Sequence, residues 1–222
     1  VQQLKSLHNM ALVFLDRSPQ FPPVSQAEPD GLLAIGGDLS PQRLLAAYRQ
    51  GIFPWYEDEP ILWWSPDPRF VLFPAELKIS RSMRPVLNGN RFRFSINEAF
   101  SQVMKHCRQV KRTGQRGSWI NEEMIRSYTQ LHEMGYAFSA EAWEADQLAG
   151  GLYGLRIGKV FCGESMFSHT SNASKFAFIN WVKFLQKEGV QLIDCQVYTE
   201  HLESLGARMI PRSAFLQNLE AR

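Results

Sequence analysis

The chain has 222 residues, of which 45% are hydrophobic and 21% charged, and its formal net charge is only +2. That usage is globular and excludes a disordered or fibrous chain; the near-neutral balance excludes a uniformly basic surface, so a nucleic acid would have to meet a local patch. No apolar run approaches the ~20 residues that span a bilayer, and no membrane partner is expected. Val1 to Leu7 shows no basic segment followed by an apolar stretch, and three cysteines (Cys107, Cys162, Cys195) cannot all pair. Both features point to a reducing cytoplasm.

Prolines and aromatics concentrate between residues 19 and 74. The turn-rich Ser65-Pro66-Asp67-Pro68 predicts a boundary near residue 70, dividing a small Pro/Trp-rich domain, 1–69, from a larger one, 70–222. Within the first, Ser40 and Pro41 start a helix that Gly51 ends. In the second, Phe92, Phe94 and Ile96 alternate as a strand, and a helix follows to about Cys107. Asn121 caps a helix with Met124, Ile125, Tyr128 and Leu131 inward, stopped at Gly135. Three strands follow near 137–145, 148–156 and 159–167, with turns at Asp146-Gln147 and Ile157-Gly158. Residues 173–188 form a helix apolar nearly all round, hence buried, with Asn172 as its cap. Gly189 stops it, and Val190 to Tyr198 reads as a strand. The fold class is therefore α/β (α+β), with a meander-like sheet and covering helices.

Four groups of residues carry candidate chemistry. On the last strand Asp194 and Gln196 share a face, ~7 Å apart, while Ile193, Cys195 and Val197 take the other. Buried polar groups need partners, so the pair is either a structural hydrogen-bonding couple or a cluster that orients substrate. In Phe161-Cys162-Gly163-Glu164-Ser165-Met166-Phe167, alternation sets Glu164 beside Cys162 and Met166. There it either binds an ammonium group or pairs with a nearby Arg or Lys. Trp55, Trp63, Trp64 and Trp119 sit on Gly/Pro-rich segments and are either core or platforms for a base. Lys105, Arg108, Lys111, Arg112 and Arg116, with Arg81 and Arg84, suit a phosphate backbone or a solvated surface equally. No zinc spacing and no phosphate-binding Gly-Lys-Ser/Thr loop occurs, so no metal and no cofactor is expected.

Several long motifs recur in series: Gly31-Leu32-Leu33-Ala34-Ile35-Gly36-Gly37-Asp38-Leu39-Ser40, Gly51-Ile52-Phe53-Pro54-Trp55, Trp63-Trp64-Ser65-Pro66-Asp67-Pro68-Arg69, the Phe161 to Ser168 run, Asn172-Ala173-Ser174-Lys175 and Leu192-Ile193-Asp194-Cys195-Gln196-Val197. From about residue 28 to Arg212 the chain resembles the leucyl/phenylalanyl-tRNA–protein transferase family. The resemblance implies a small N-terminal domain beside one like the acyl-CoA N-acyltransferase fold. It implies transfer of Leu or Phe, less readily Met, from aminoacyl-tRNA to proteins or peptides with N-terminal Lys or Arg, marking them for proteolysis. Carried over by motif, Trp55 and Trp119 would pack around the terminal adenosine. Met166 would line an apolar pocket, with Leu152, Phe161, Phe178, Trp181 and Ile193 as further candidates; Leu152 stands where relatives have methionine. Tyr128 joins the substrate-binding candidates. Strict alternation separates Phe161 from Met166, so a bulge or a wrapping pocket is required. Asp194 would polarise Gln196, which holds or deprotonates the incoming amine, while Glu164 organises the aminoacyl end; a substrate hydroxyl or water is the alternative proton acceptor. Arg81 and Arg84 would meet tRNA phosphate.

Two rivals remain at this level. An acetyl-CoA-dependent acetyltransferase would need a pyrophosphate loop, and the partial matches at Gln147 to Leu152 and Gln186 to Gln191 both fail at their last position. A non-catalytic RNA-binding protein fits the basic and aromatic residues but leaves the apolar pocket without a purpose.

Overall fold

A computed structural model describes residues 12–110 and 119–220. Lys111, Arg112 and Arg116 of the basic group lie outside the described residues, as does the N-terminal segment before residue 12.

Two sheets organise the chain. The first has the order β1 (Val13–Leu15), β2 (Leu32–Gly36), β4 (Leu62–Trp64), β3 (Phe53–Pro54), with β1 and β2 parallel. Helix α1 (Pro41–Arg49) begins as expected, with the Ser40 side chain accepting from the Arg43 N–H, and Gly51 turns the chain at a φ of 73°. The second sheet takes over at β5 (Arg69–Leu72) and runs β11 (Arg208–Ile210), β5, β10 (Leu192–Gln196), β9 (Val160–Ser168), β8 (Gln147–Ile157), β7 (Ala137–Glu144), β6 (Arg93–Ile96). Neighbours pair antiparallel except β9 and β10. Parallel neighbours need a long crossover, and α5 (Ala173–Lys187) supplies it.

Helices cover both faces. Helix α5 packs on β7 and β8 from one side; α3 (Phe100–Gln109) and α4 (Glu122–Glu133) pack on β7 to β9 from the other. Helix α4 starts where Asn121 accepts from the Met124 N–H, and α1 leans against α4. One apolar cluster therefore runs from Leu33 and Trp63 of the first sheet, through Tyr48 and Tyr128, to Phe215 of α7 (Arg212–Glu220). The remaining α-helices among the described residues, α2 (Met83–Asn88) and α6 (Glu200–Ser204), are short.

Three expectations shift. The first hairpin turn falls at Ala145-Asp146, because Ala145 takes the left-handed conformation (φ 50°) and Gln147 already belongs to β8. Asn172 precedes α5 but makes no side-chain cap bond, since its own backbone is left-handed at φ 69°. The last strand ends at Gln196 instead of Tyr198, because Gln196 turns to φ 64° and breaks the ladder. The Gln147 to Leu152 stretch lies inside β8, with its amides in the β7 and β9 ladders, and forms no phosphate loop.

Candidate active site

Two neighbouring β-bulges shape the site. In the β8–β9 ladder Tyr153 faces Ser165 and Gly154 faces Gly163, so Glu164 is the extra residue. In the β5–β10 ladder Asp194 faces Val71 and Gln196 faces Phe70, so Cys195 is extra. A bulge re-aims the side chains beyond it. This one swings Met166 to the side of Phe161 and Leu152, away from Cys162, and answers the alternation problem posed by the sequence.

The bulges open onto a cavity of about 360 Å³. Its apolar wall is Leu152, Phe161, Met166, Phe178 and Ile193; Trp55 and Trp119 stand at another part of the lining, and Glu164, Asp194 and Gln196 contribute the polar part. Ten residues proposed from the sequence thus meet in one hollow. Tyr128 and Trp181 do not line it. Tyr128 is fully buried behind Glu164, and Trp181 stands behind Phe161 at a ring distance of 5.1 Å, so both back the wall. Arg81 and Arg84 are exposed at the start of α2 and lie outside the lining, whereas Arg108 pairs with Glu122.

Asp194 has a different partner from the one expected. Its carboxylate receives Arg69 Nε at 2.8 Å and Nη2 at 2.7 Å, with both residues buried. The Arg69 guanidinium is also flanked by the rings of Phe53 (4.6 Å) and Phe215 (4.7 Å), a favourable cation–π arrangement. From Gln196, Asp194 accepts only the backbone N–H, at 2.9 Å, which holds the left-handed turn. The Gln196 amide instead donates to Glu164 Oε1 at 3.0 Å. Asp194 therefore anchors the bulge, and Gln196 is tied to Glu164 rather than polarised by Asp194.

Glu164 has no Arg or Lys ion-pair partner among the described residues. Its Oε2 accepts from Tyr128 at 3.2 Å, and the Tyr128 hydroxyl sits 2.5 Å from that of Tyr48 on α1. Burial raises the Glu164 carboxyl from 4.5 to about 7; the Asp194 charge adds to the rise, and hydrogen bonding from the Tyr48–Tyr128 pair and from Gln196 holds it back. Burial keeps both tyrosines well above their ordinary range, so they serve as neutral donors.

A pH test of stability follows. A carboxyl whose folded pKa is raised favours folding below its unfolded value, near 4.5, and loses that contribution as pH rises through about 7. Glu164→Gln removes the titration, so thermal unfolding should show the variant gaining on the native protein between pH 5 and pH 8. An offset identical at both pH values would contradict a buried, titrating Glu164.

Sequence reasoning passed over Arg69, Phe53, Tyr153, Thr199, His201 and Leu202. Arg69 was legible as a lone cation opening the apolar run Phe70-Val71-Leu72. Thr199 caps α6 by accepting from the Leu202 N–H, and that Thr-x-x-Leu start brings His201 to the cavity wall. Burial lowers the His201 pKa, and its buried Nε2 has no hydrogen-bond partner among the described residues.

The family model described as leucyl/phenylalanyl-tRNA protein transferase matches residues 71–220, and the one described as its N-terminal domain matches residues 37–67. The leucyl/phenylalanyl-tRNA–protein transferase of Christiangramia forsetii is 57% identical over 211 residues, 94% of this chain and 100% of that protein. Its namesake in Flavobacterium johnsoniae is 55% identical over 212 residues, 95% of this chain and 100% of that one. Among solved structures, a GCN5-related N-acetyltransferase from Kribbella flavida aligns at 9% identity and a TM-score of 0.36, over 75% of this chain and 59% of that one, a likeness too loose to carry an argument.

Proposed function

The chain belongs to the leucyl/phenylalanyl-tRNA protein transferase family, and from that premise we propose how its cavity serves the reaction. The protein moves leucine or phenylalanine from aminoacyl-tRNA to the α-amino group of an acceptor protein. The observation that carries the reading is a single hollow with an apolar wall at one part and a buried carboxyl–amide pair at another. Its volume falls in the range of about 300–1,000 Å³ usual for ligand sites. The Leu152, Phe161, Met166, Phe178 and Ile193 wall takes the Leu, Phe or, less readily, Met side chain. Trp55 and Trp119 pack on the terminal adenosine, the natural use of an aromatic surface with a base. Glu164 and Gln196 receive the incoming amine. The aminoacyl ester is already activated, so much of the rate comes from holding ester and amine together.

The acceptors we propose are proteins beginning with Lys or Arg, the product being a destabilising N-terminus. Because aminoacyl-tRNA is the donor, we propose that the reaction runs in the cytoplasm. Among the described residues no helix is long and apolar enough to cross a membrane. A division near residue 70 is supported by the two matched segments and by the change of sheet between Trp64 and Arg69.

The test is incubation with Phe-tRNA and peptides starting with Lys, Arg or Ala, followed by mass spectrometry. Gain of one phenylalanine on the first two alone supports the reading; equal transfer to the Ala peptide would overturn the acceptor assignment, and no transfer would overturn the donor. Arg81 and Arg84 we assign to tRNA phosphate. Replacing either with Ala should weaken binding of all tRNAs alike and reduce the slope of log affinity against log salt by about one. Filter binding across a salt series measures this, and an unchanged slope in both variants rejects the assignment.

A further inference from the structure

Amide formation requires a proton to move. The attacking nitrogen forms a bond to the ester carbonyl carbon and must lose one hydrogen; the bond from that carbon to the ribose oxygen breaks, and that oxygen must gain one. Of the described residues lining the cavity, only Glu164 and Asp194 carry carboxyls, and the His201 imidazole stands on the part of the wall that α6 forms. Asp194 is held by two Arg69 nitrogens. Gln196 is a carboxamide, a poor base, and its amide group is already donating to Glu164.

We propose, building on the aminoacyl-transfer reading, that Glu164 takes the proton of the attacking amine and returns it to the departing ribose oxygen, and that Tyr48 of α1 is a positioning residue that holds Glu164 for this through Tyr128. The step balances with no other reactant: one N–C bond forms, one C–O bond breaks, and one proton crosses from nitrogen to oxygen by way of the carboxyl. The hydrogen-bond chain is directional. Tyr128 spends its hydrogen on Glu164 Oε2 at 3.2 Å, so at 2.5 Å Tyr48 is the donor to Tyr128, and each donor strengthens the next. Gln196 fixes the other carboxyl oxygen. Both oxygens are thereby held, with the free lone pairs left for the substrate.

The groups facing Glu164 come from every element around it: Tyr48 from α1, Tyr128 from α4, Cys162 from β9, and Asp194 and Gln196 from β10. The two tyrosines and the Cys162 thiol are all kept neutral by burial, leaving Asp194 as the charge acting on Glu164.

The deciding experiment is the pH profile of kcat for Tyr48→Phe, from pH 5 to 9, with saturating Phe-tRNA and a peptide starting with Lys. Loss of the donor chain raises the Glu164 pKa, so the acid limb should move up by about one unit. Glu164→Gln should lower the plateau by about 10²–10⁴-fold while filter binding of Phe-tRNA persists. A Tyr48→Phe profile that superimposes on the native one overturns the positioning role, and a Glu164→Gln enzyme within tenfold of native overturns the proton transfer. If Tyr48→Phe does not fold, the Tyr128→Phe profile decides the same question. Native enzyme that transfers nothing would instead defeat the underlying aminoacyl-transfer reading, an outcome separable from both.

Discussion

Asp194→Ala should lower the free energy of unfolding by about 3–5 kcal/mol, the cost of stranding a buried charge whose partner is removed. The stranded group is Arg69, which is 1% exposed and has Phe53 and Phe215 against its guanidinium, so it has no route to water. The same change deprives the Gln196 N–H of its acceptor, and the left-handed turn that aims the Gln196 amide at Glu164 relaxes. Loss of transfer in this variant is therefore an effect of position, and Asp194 need not touch substrate. Urea denaturation of Asp194→Ala measures the first part. The double variant Arg69→Met with Asp194→Leu should recover most of the stability, because apolar side chains of similar size can replace a buried ion pair at little cost. A single variant within 1 kcal/mol of native, by the same measurement, would show that the pair is not what steadies this corner.

Gly154→Ala should be nearly as severe, although it adds only one methyl group. A Cβ on Gly154 would lie 2.2 Å from the Cys162 carbonyl oxygen and 2.6 Å from the Phe161 ring. The first contact is with backbone, which cannot step aside as a flexible side chain can. Overpacking of this kind costs about 1–3 kcal/mol and occasionally more. Strands β8 and β9 must part at the residue pair Gly154–Gly163, beside the Glu164 bulge. A shift of ~1 Å there is enough to lower kcat about 10²-fold. Melting temperature and kcat should fall together, whereas Gly158→Ala, where a Cβ meets nothing within 4 Å, tests the left-handed φ of 59° alone. Native-like kcat in Gly154→Ala would mean that β9 is not fixed by this contact.

The sequence made the second half of the fold legible because its signals are local. Ser40 and Asn121 cap, Gly135 and Gly189 stop helices, and the three strands from Ala137 to Ser168 alternate between turns. The first sheet was not legible: its strands are two to five residues long, too short for periodicity to register. The apolar cavity wall was found through motifs, and the need for a bulge through a failure of alternation. The identity of each polar partner was hidden, because a strand pattern reports which face a side chain takes and says nothing of what arrives from a distant element. Arg69 meets Asp194, and Tyr48 reaches Glu164 through Tyr128, only once both sheets are in place.

The Arg69–Asp194 pair closes across 125 positions, and one of the rings that sandwich the guanidinium is Phe215, on the final helix. Polypeptides are made from the N-terminus onward. The corner that aims Gln196 at Glu164 is therefore completed only after Phe215 has been made, well after β8 and β9 have paired.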